Sequence, residues 1–300
     1  MGGIGAIAIG AVGATFLLLL GAMAVRIYGH SRWQRTIWAF KLPAGEQPKI
    51  IIETIEGQET GLYRRPTAGL GAVAAVAQLS TALDASRSGL VRRMARSLEH
   101  PVALSFSSEP LADEWCSNAD TVIVGGPKSN QITAQVLRGF GCQPPPGPDA
   151  PDDELLRRTG DLRMSPGAEA DGLGVATQGN SIYWFGKKYA GHVTFATDEA
   201  TGKDAYMGYD YGVLLRLPSP TNEGRRSVVV FGSQTFGVDA ASSWLVNLRR
   251  RTAGARVRRL MATQKNVAVL VEADVKHGTL GEPKLKDIVV LPDRLAPRHW

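Results

Sequence analysis

The chain has 300 residues, 44% of them hydrophobic, and carries a formal net charge of +6 with a pI near 9.4. That is enough apolar material for a sizeable core in one or two domains, and the basic excess suits anionic lipid, phosphorylated ligands or nucleic acid. Two cysteines, Cys116 and Cys142, form no CxxC pair, and the five histidines are scattered, which excludes a cysteine- or histidine-built metal centre and reads as two free thiols in a reducing compartment. No metal and no cofactor is expected.

Residues Ile4 to Val25 contain only apolar, Gly, Ala or Thr side chains. About 22 such residues at 1.5 Å each give roughly 33 Å, enough to cross a hydrocarbon core. Ala22-Met23-Ala24 mimics a cleavage site, but Met1-Gly2-Gly3 lacks the basic region of a secretory leader. Residues 1–27 are therefore expected to be an uncleaved transmembrane helix, with membrane lipid around residues 4–27. Arg26, Arg32, Arg35 and Lys41 follow the segment, and positive flanks stay cytoplasmic. The expectation is a single-pass protein of the cell membrane, N-terminus outside and C-terminal domain cytoplasmic. Tyr28, Trp33 and Trp38 lie among the cations, so Arg26–Phe40 suits a helix at the headgroup level. The alternative is that Trp33 and Trp38 pack on the domain. Residues 28–47 form this juxtamembrane segment and a linker, and a cytoplasmic α/β domain occupies 48–300.

That domain begins with a strand over Lys49–Ile55. A loop follows with Arg64, Arg65, Thr67, Gly69 and Gly71, then a helix over Ala72–Ala85 with one small apolar face. Arg64 and Arg65 can reach a phosphate and Thr67 can cap the helix or touch a ligand. Arg87–Glu99 reads as a basic helix, Val102–Phe106 as a strand and Leu111–Ser117 as a helical turn. Ala119–Leu137 is strand, glycine loop, helix: Thr121-Val122-Ile123-Val124, then Gly125-Gly126-Pro127-Lys128-Ser129-Asn130, then an amphipathic run from Gln131. A continuous β-branched run suits a strand covered on both faces. A helix start offers free N–H groups and partial positive charge, and Lys128 adds a full charge, so an anion is the expected guest. Asn130 stands where a helix cap belongs.

Gln143–Asp153 is a Pro-rich surface insertion at 143–153. Asp161–Asn180 reads as a loop. Ser181–Phe185, Val193–Thr197 and Tyr211–Leu217 read as antiparallel strands. Tyr183, Trp184, Phe185, Tyr189, Tyr206, Tyr209 and Tyr211 either wall a pocket for a flat ring or pack the core. Ser227–Phe231 is a strand running into Gly232, Thr235 and Gly237, with a helix from Val238 to about Arg251. Asn266–Val271 and Asp287–Leu291 are strands, and Glu272–Lys286 a charged hairpin or loop. Alternating strands and helices imply an α/β fold, a Rossmann-like mostly parallel sheet with an antiparallel extension, preceded by one N-terminal transmembrane helix.

Three glycine loops, at Gly69/Gly71, Gly125/Gly126 and Gly232/Gly237, would open on one sheet edge if their strands are parallel neighbours. No P-loop spacing, GxGxxG fingerprint, nucleophile elbow or HExxH is present. Gly125-Gly126-Pro127 after Val122-Ile123-Val124, the Gly232–Gly237 loop and the single anchor resemble the Rossmann-like, SLOG-type sensor and nucleotide-processing domains of bacterial conflict and signalling systems. The resemblance implies a nucleotide-derivative ligand at those glycines. No acidic residue closely follows the glycine pair, so it does not imply hydrolysis of a glycosidic bond. Arg249-Arg250-Arg251 with Arg256, Arg258 and Arg259 forms a basic run with no aromatic platform interleaved, so nucleic acid is not expected. The run suits a solvated face, an anionic leaflet or a partner. The leading expectation is a membrane-tethered domain that binds a nucleotide-like or phosphorylated ligand in a sensor role. A scaffold or assembly component without ligand, and a nucleotide-processing hydrolase, are the alternatives. A protein partner or a second copy is a further expectation.

Overall fold

The computed structural model describes residues 49–55, 68–87, 102–143, 163–164, 173–197, 201–219, 222, 224–247, 260 and 266–292, together with 20–21. In chain order come β1 (Lys49–Ile52), α1 (Leu70–Arg87), β2 (Ala103–Phe106), α2 (Pro110–Asn118), β3 (Thr121–Val124) and α3 (Gln131–Gly139). Short β4 (Cys142–Gln143) and β5 (Arg163–Met164) pair with each other. A small meander follows: β6 (Val175–Gln178), β7 (Ser181–Trp184) and β8 (Lys187–Ala190). Then come β9 (His192–Thr197), the long β10 (Asp204–Pro218), β11 (Arg226–Gly232) and α4 (Thr235–Val246). β12 (Val267–Lys276), β13 (Thr279–Leu280) and β14 (Lys284–Val290) complete the described chain.

The main sheet runs β2-β1-β3-β11-β10-β12, with β13 and β14 on β12 and β9 on β10. β2, β1, β3 and β11 are parallel. Among the described residues three ladders are parallel and five antiparallel, so the sheet is mixed rather than mostly parallel. The cause is local. β10 reaches β11 through a short connection closed by Ser219 N–H to Arg225 C=O (2.9 Å), and only an antiparallel neighbour can be reached that way. β12 runs beyond Val271 to Lys276 and turns at His277-Gly278, both with positive φ, so the hairpin of the expected charged hairpin or loop is the form present. β5 and β6 likewise lie inside the expected loop 161–180.

Alternation along β1 divides the core. Ile50 and Ile52 pack with α1 and α4 residues such as Leu79, Leu83 and Trp244. Ile51 joins the other face, with Ile132 and Leu137 of α3 and Trp184 of the meander. Every residue of β3 is buried, as its unbroken β-branched run requires. Gly71 brings α1 against α4, where a methyl group would collide with the Thr235 carbonyl.

No described helix is long and apolar enough to cross a membrane. Of the expected span only Leu20 and Gly21 are described, both helical. The juxtamembrane segment 28–47, the helix expected over Arg87–Glu99 except Arg87, the insertion expected at 143–153 except Gln143, and the basic run 249–259 lie outside the described residues; Arg87 ends α1 and Gln143 belongs to β4.

Candidate functional site

β1, β3 and β11 are adjacent and parallel, so the chain leaves all three at one edge. From β1 the chain moves out to β2 and then returns to the other side as β3. That reversal is a topological switch point, where open α/β sheets take their ligands. The backbone extends the ladder one step past the strands. Glu53 N–H donates to Val124 C=O (2.9 Å) and Gly125 N–H donates to Val230 C=O (2.9 Å).

Glu53 is the side chain at this reversal, and it is buried. Its Oε1 accepts the Gly69 N–H at 3.0 Å and its Oε2 accepts the Ser129 hydroxyl at 2.5 Å. Gly125 has φ +116°, and a side chain there would meet Glu53 Cβ and Oε2 at 2.5 Å, so glycine is what admits the carboxylate. Next to Glu53, Thr54 N–H donates to Ser129 C=O (2.8 Å), and the Thr54 hydroxyl lies 3.2 Å from that of Ser107 and donates to that of Ser108 (3.1 Å). The ends of β1, β2 and β3 therefore carry the Glu53 carboxylate beside four hydroxyls, and a second carboxylate, Glu109, accepts the Ser105 hydroxyl (2.6 Å) and the Phe106 N–H (3.1 Å) at the end of β2.

Each of the three glycine loops has a capping group supplied by the chain itself. Glu53 takes the N–H ahead of α1. Asn130 Oδ1 accepts from Ile132 and Thr133 N–H at the start of α3 (3.0 and 3.1 Å), while its Nδ2 donates to Val124 C=O (2.9 Å). Asp210 serves α4: Oδ1 accepts Gln234 N–H (3.1 Å), Tyr211 N–H (2.8 Å) and the Ser233 hydroxyl (2.5 Å), and Oδ2 accepts Gly237 N–H (2.5 Å). Burial pushes the Asp210 carboxyl above the usual carboxylate value, and these donors pull it back part of the way. Ser233 and Asp210 thus form a helix cap and not a nucleophile with a base. The N–H groups expected to greet an external anion are in these instances already held by internal oxygen atoms.

The expected residues fall as follows. Arg64, Arg65 and Thr67 lie outside the described residues. Gly69, Gly125, Gly126, Lys128, Asn130, Gly232, Thr235 and Gly237 all stand at the one edge. A side chain at Gly69 would meet Glu53 Oε1 at 2.7 Å and Thr235 Oγ1 at 3.9 Å, so these three are neighbours. Gly232 and Gly237 instead pack against each other, and Gly237 against the Tyr211 carbonyl; they let α4 sit close to β10. Gly126 faces open space and Lys128 is exposed.

No family model, curated protein or solved structure matches this chain. The sequence reading missed Glu53, Ser129, Asp210 and Ser233. A lone acid closing the apolar run Lys49–Ile52 and a lone acid among the Tyr and Gly residues of β10 were the available signals.

The seven aromatic residues do not wall one pocket. Phe195, Tyr206 and Phe236 form a row on the α4 face, with centroids 5.0 and 5.8 Å apart. Tyr189, Tyr211 and Tyr209 cluster on the opposite face at 5.3 and 5.8 Å. Trp184 is buried, its indole donating to Asp287 (2.9 Å), and Tyr183 donates to Gln178 (2.7 Å). Both cysteines are free and buried, and burial raises each thiol to about 12. Among the described residues no three His, Cys, Asp or Glu side chains are grouped to hold a metal ion.

Proposed function

We propose that the β1/β3 edge binds a nucleotide-like ligand, with its sugar hydroxyls toward Glu53 and its phosphate toward Lys128. The domain would act as the cytoplasmic sensor of a single-pass membrane protein. The observation that carries the reading is the buried Glu53 carboxylate at the switch point, flanked by Thr54, Ser107, Ser108 and Ser129. A phosphate about 4 Å from that carboxylate would be opposed by about 4 kcal/mol at an effective dielectric of 20. A hydroxyl donor there gains a charge-assisted hydrogen bond, about 1.5–3 kcal/mol, and a carboxylate oxygen that already accepts one bond has capacity for another. Open space at Gly126 and the exposed Lys128 ammonium suit the anionic end.

Calorimetry on the full chain in mild detergent, with matched nucleosides and nucleotides in ribo and deoxyribo forms, tests the reading. Ribonucleotides are expected to bind. Glu53→Gln should erase the preference for ribose, and Lys128→Ala should weaken nucleotides while leaving nucleosides unchanged. A parent chain that binds nothing in the panel ends this reading. That result would support the second one, a membrane-tethered scaffold, which is favoured by the internal capping of all three loops.

A further inference from the structure

We propose that the outer edge of β9 is an interface between two copies of this chain, joined as antiparallel strands about Phe195. The proposal is independent of any ligand at the Glu53 edge. β10 carries β12 on one side over Gly208–Arg216. β11, over Gly212–Pro218, and β9, over Asp204–Tyr209, share ladder positions with β12 and therefore both lie on the other side. β9 thus sits end to end with β11, past the edge where the glycine loops open. No described strand pairs with the far side of β9.

Two hydrogen bonds fix which β9 groups face out. The Gly278 N–H donates to Tyr206 C=O at 2.9 Å, so Tyr206 turns its backbone away from β9. Phe195, its direct partner, must then turn its own N–H and C=O away from β10. Independently, the Val193 N–H leaves the ladder to donate to Gln234 Oε1 at 3.0 Å. Amide direction alternates along a strand, so Val193, Phe195 and Thr197 all face outward. Gln234 caps the first of these.

Apart from the Gln234 amide held by Val193 N–H, nothing on β9 discourages pairing. Natural edges are blunted by charges, prolines or bulges. His192-Val193-Thr194-Phe195-Ala196-Thr197 carries no proline, lysine, arginine or acid. Phe195 is 63% exposed and Tyr206 49% exposed. A second copy is the occupant these features fit. Rotation about Phe195 sets its N–H and C=O against the same groups of the other copy, giving two reciprocal bonds. It also sets Val193 opposite Thr197, where the Thr197 N–H can reach the Val193 C=O while the Val193 N–H stays with Gln234, and it extends the row of Phe195, Tyr206 and Phe236 into its symmetry mate. The strand is uncharged, so the chain's net +6 is not brought face to face along it.

The test uses the full chain in mild detergent. Light scattering should give the mass of two chains, falling to one for Phe195→Pro. That change removes the outward N–H and leaves the bonds to β10 in place, and circular dichroism should be unchanged. Should Phe195→Pro disturb folding, Phe195→Cys decides. Mild oxidation should link two Phe195→Cys chains within minutes, with Thr194→Cys much slower because position 194 stands opposite Ala196 of the other copy and only diagonal to its own counterpart. Cys116 and Cys142 are buried and should not contribute. A monomeric parent, a dimer that survives Phe195→Pro in folded protein, or equal cross-linking at both positions overturns the proposal.

Discussion

Glu53 and Asp210 do for this chain what a bound anion does at many helix starts, and they do it from inside. Each is a buried carboxylate surrounded by N–H and hydroxyl donors. Gly125→Ala should be costly, because its positive φ alone carries about 1–3 kcal/mol and the new methyl would collide with Glu53. Urea unfolding should show that loss with the slope unchanged. Asp210 adds a pH signature. Its folded pKa lies above the ordinary 3.8, so the native state holds the proton more tightly than the unfolded chain. Stability from this residue is therefore greatest at acid pH and falls as pH rises from near 3.8 through the folded value. Asp210→Asn cannot titrate and leaves at least one N–H without an acceptor, a loss of about 1–3 kcal/mol. The gap in unfolding free energy between parent and variant should narrow as pH rises. A gap that widens would contradict the burial argument.

At the scale of elements, uniform burial was the legible signal. β1, β3 and β11 were all placed by continuous β-branched runs, and Asn130 was placed as a cap before α3. Asn130→Ala should cost about 1–2 kcal/mol, since two N–H groups lose their acceptor and Val124 C=O loses a donor. Thermal unfolding would show it; no change in midpoint would mean water replaces the cap freely. What stayed illegible has a physical cause. β8 is mostly exposed, so no alternation marks it. α4 begins at Thr235 and not Val238 because its cap, Asp210, comes from a strand more than twenty residues earlier. Periodicity reads neighbours along the chain and is blind to a cap supplied across a sheet. The same blindness hid Glu53, whose partners Gly69 and Ser129 are set by the parallel pairing of β1 with β3.

For the whole molecule, the glycine loops were legible as three separate strand–loop–helix units, and their placement on one edge depended on strand order. Parallel adjacency of β1, β3 and β11 supplies it, while the long β10 turns the remainder antiparallel. The relation of this domain to a membrane rests on sequence: an uncharged run from Ile4 to Val25 followed by Arg26, Arg32, Arg35 and Lys41. If that run is the anchor, replacing Leu18 and Leu19 with Arg should release the chain, because each central Arg costs about 2.5–3.5 kcal/mol on insertion scales. The positive flank should hold the domain inside, so a reporter fused after Trp300 should be active only in the cytoplasm. The two measurements separate two errors. Unchanged membrane fractionation of the double-Arg chain would show that this run is not the anchor. Release by the arginines together with a reporter active outside would keep the anchor and invert it, placing the Glu53 edge where cytoplasmic nucleotides do not reach.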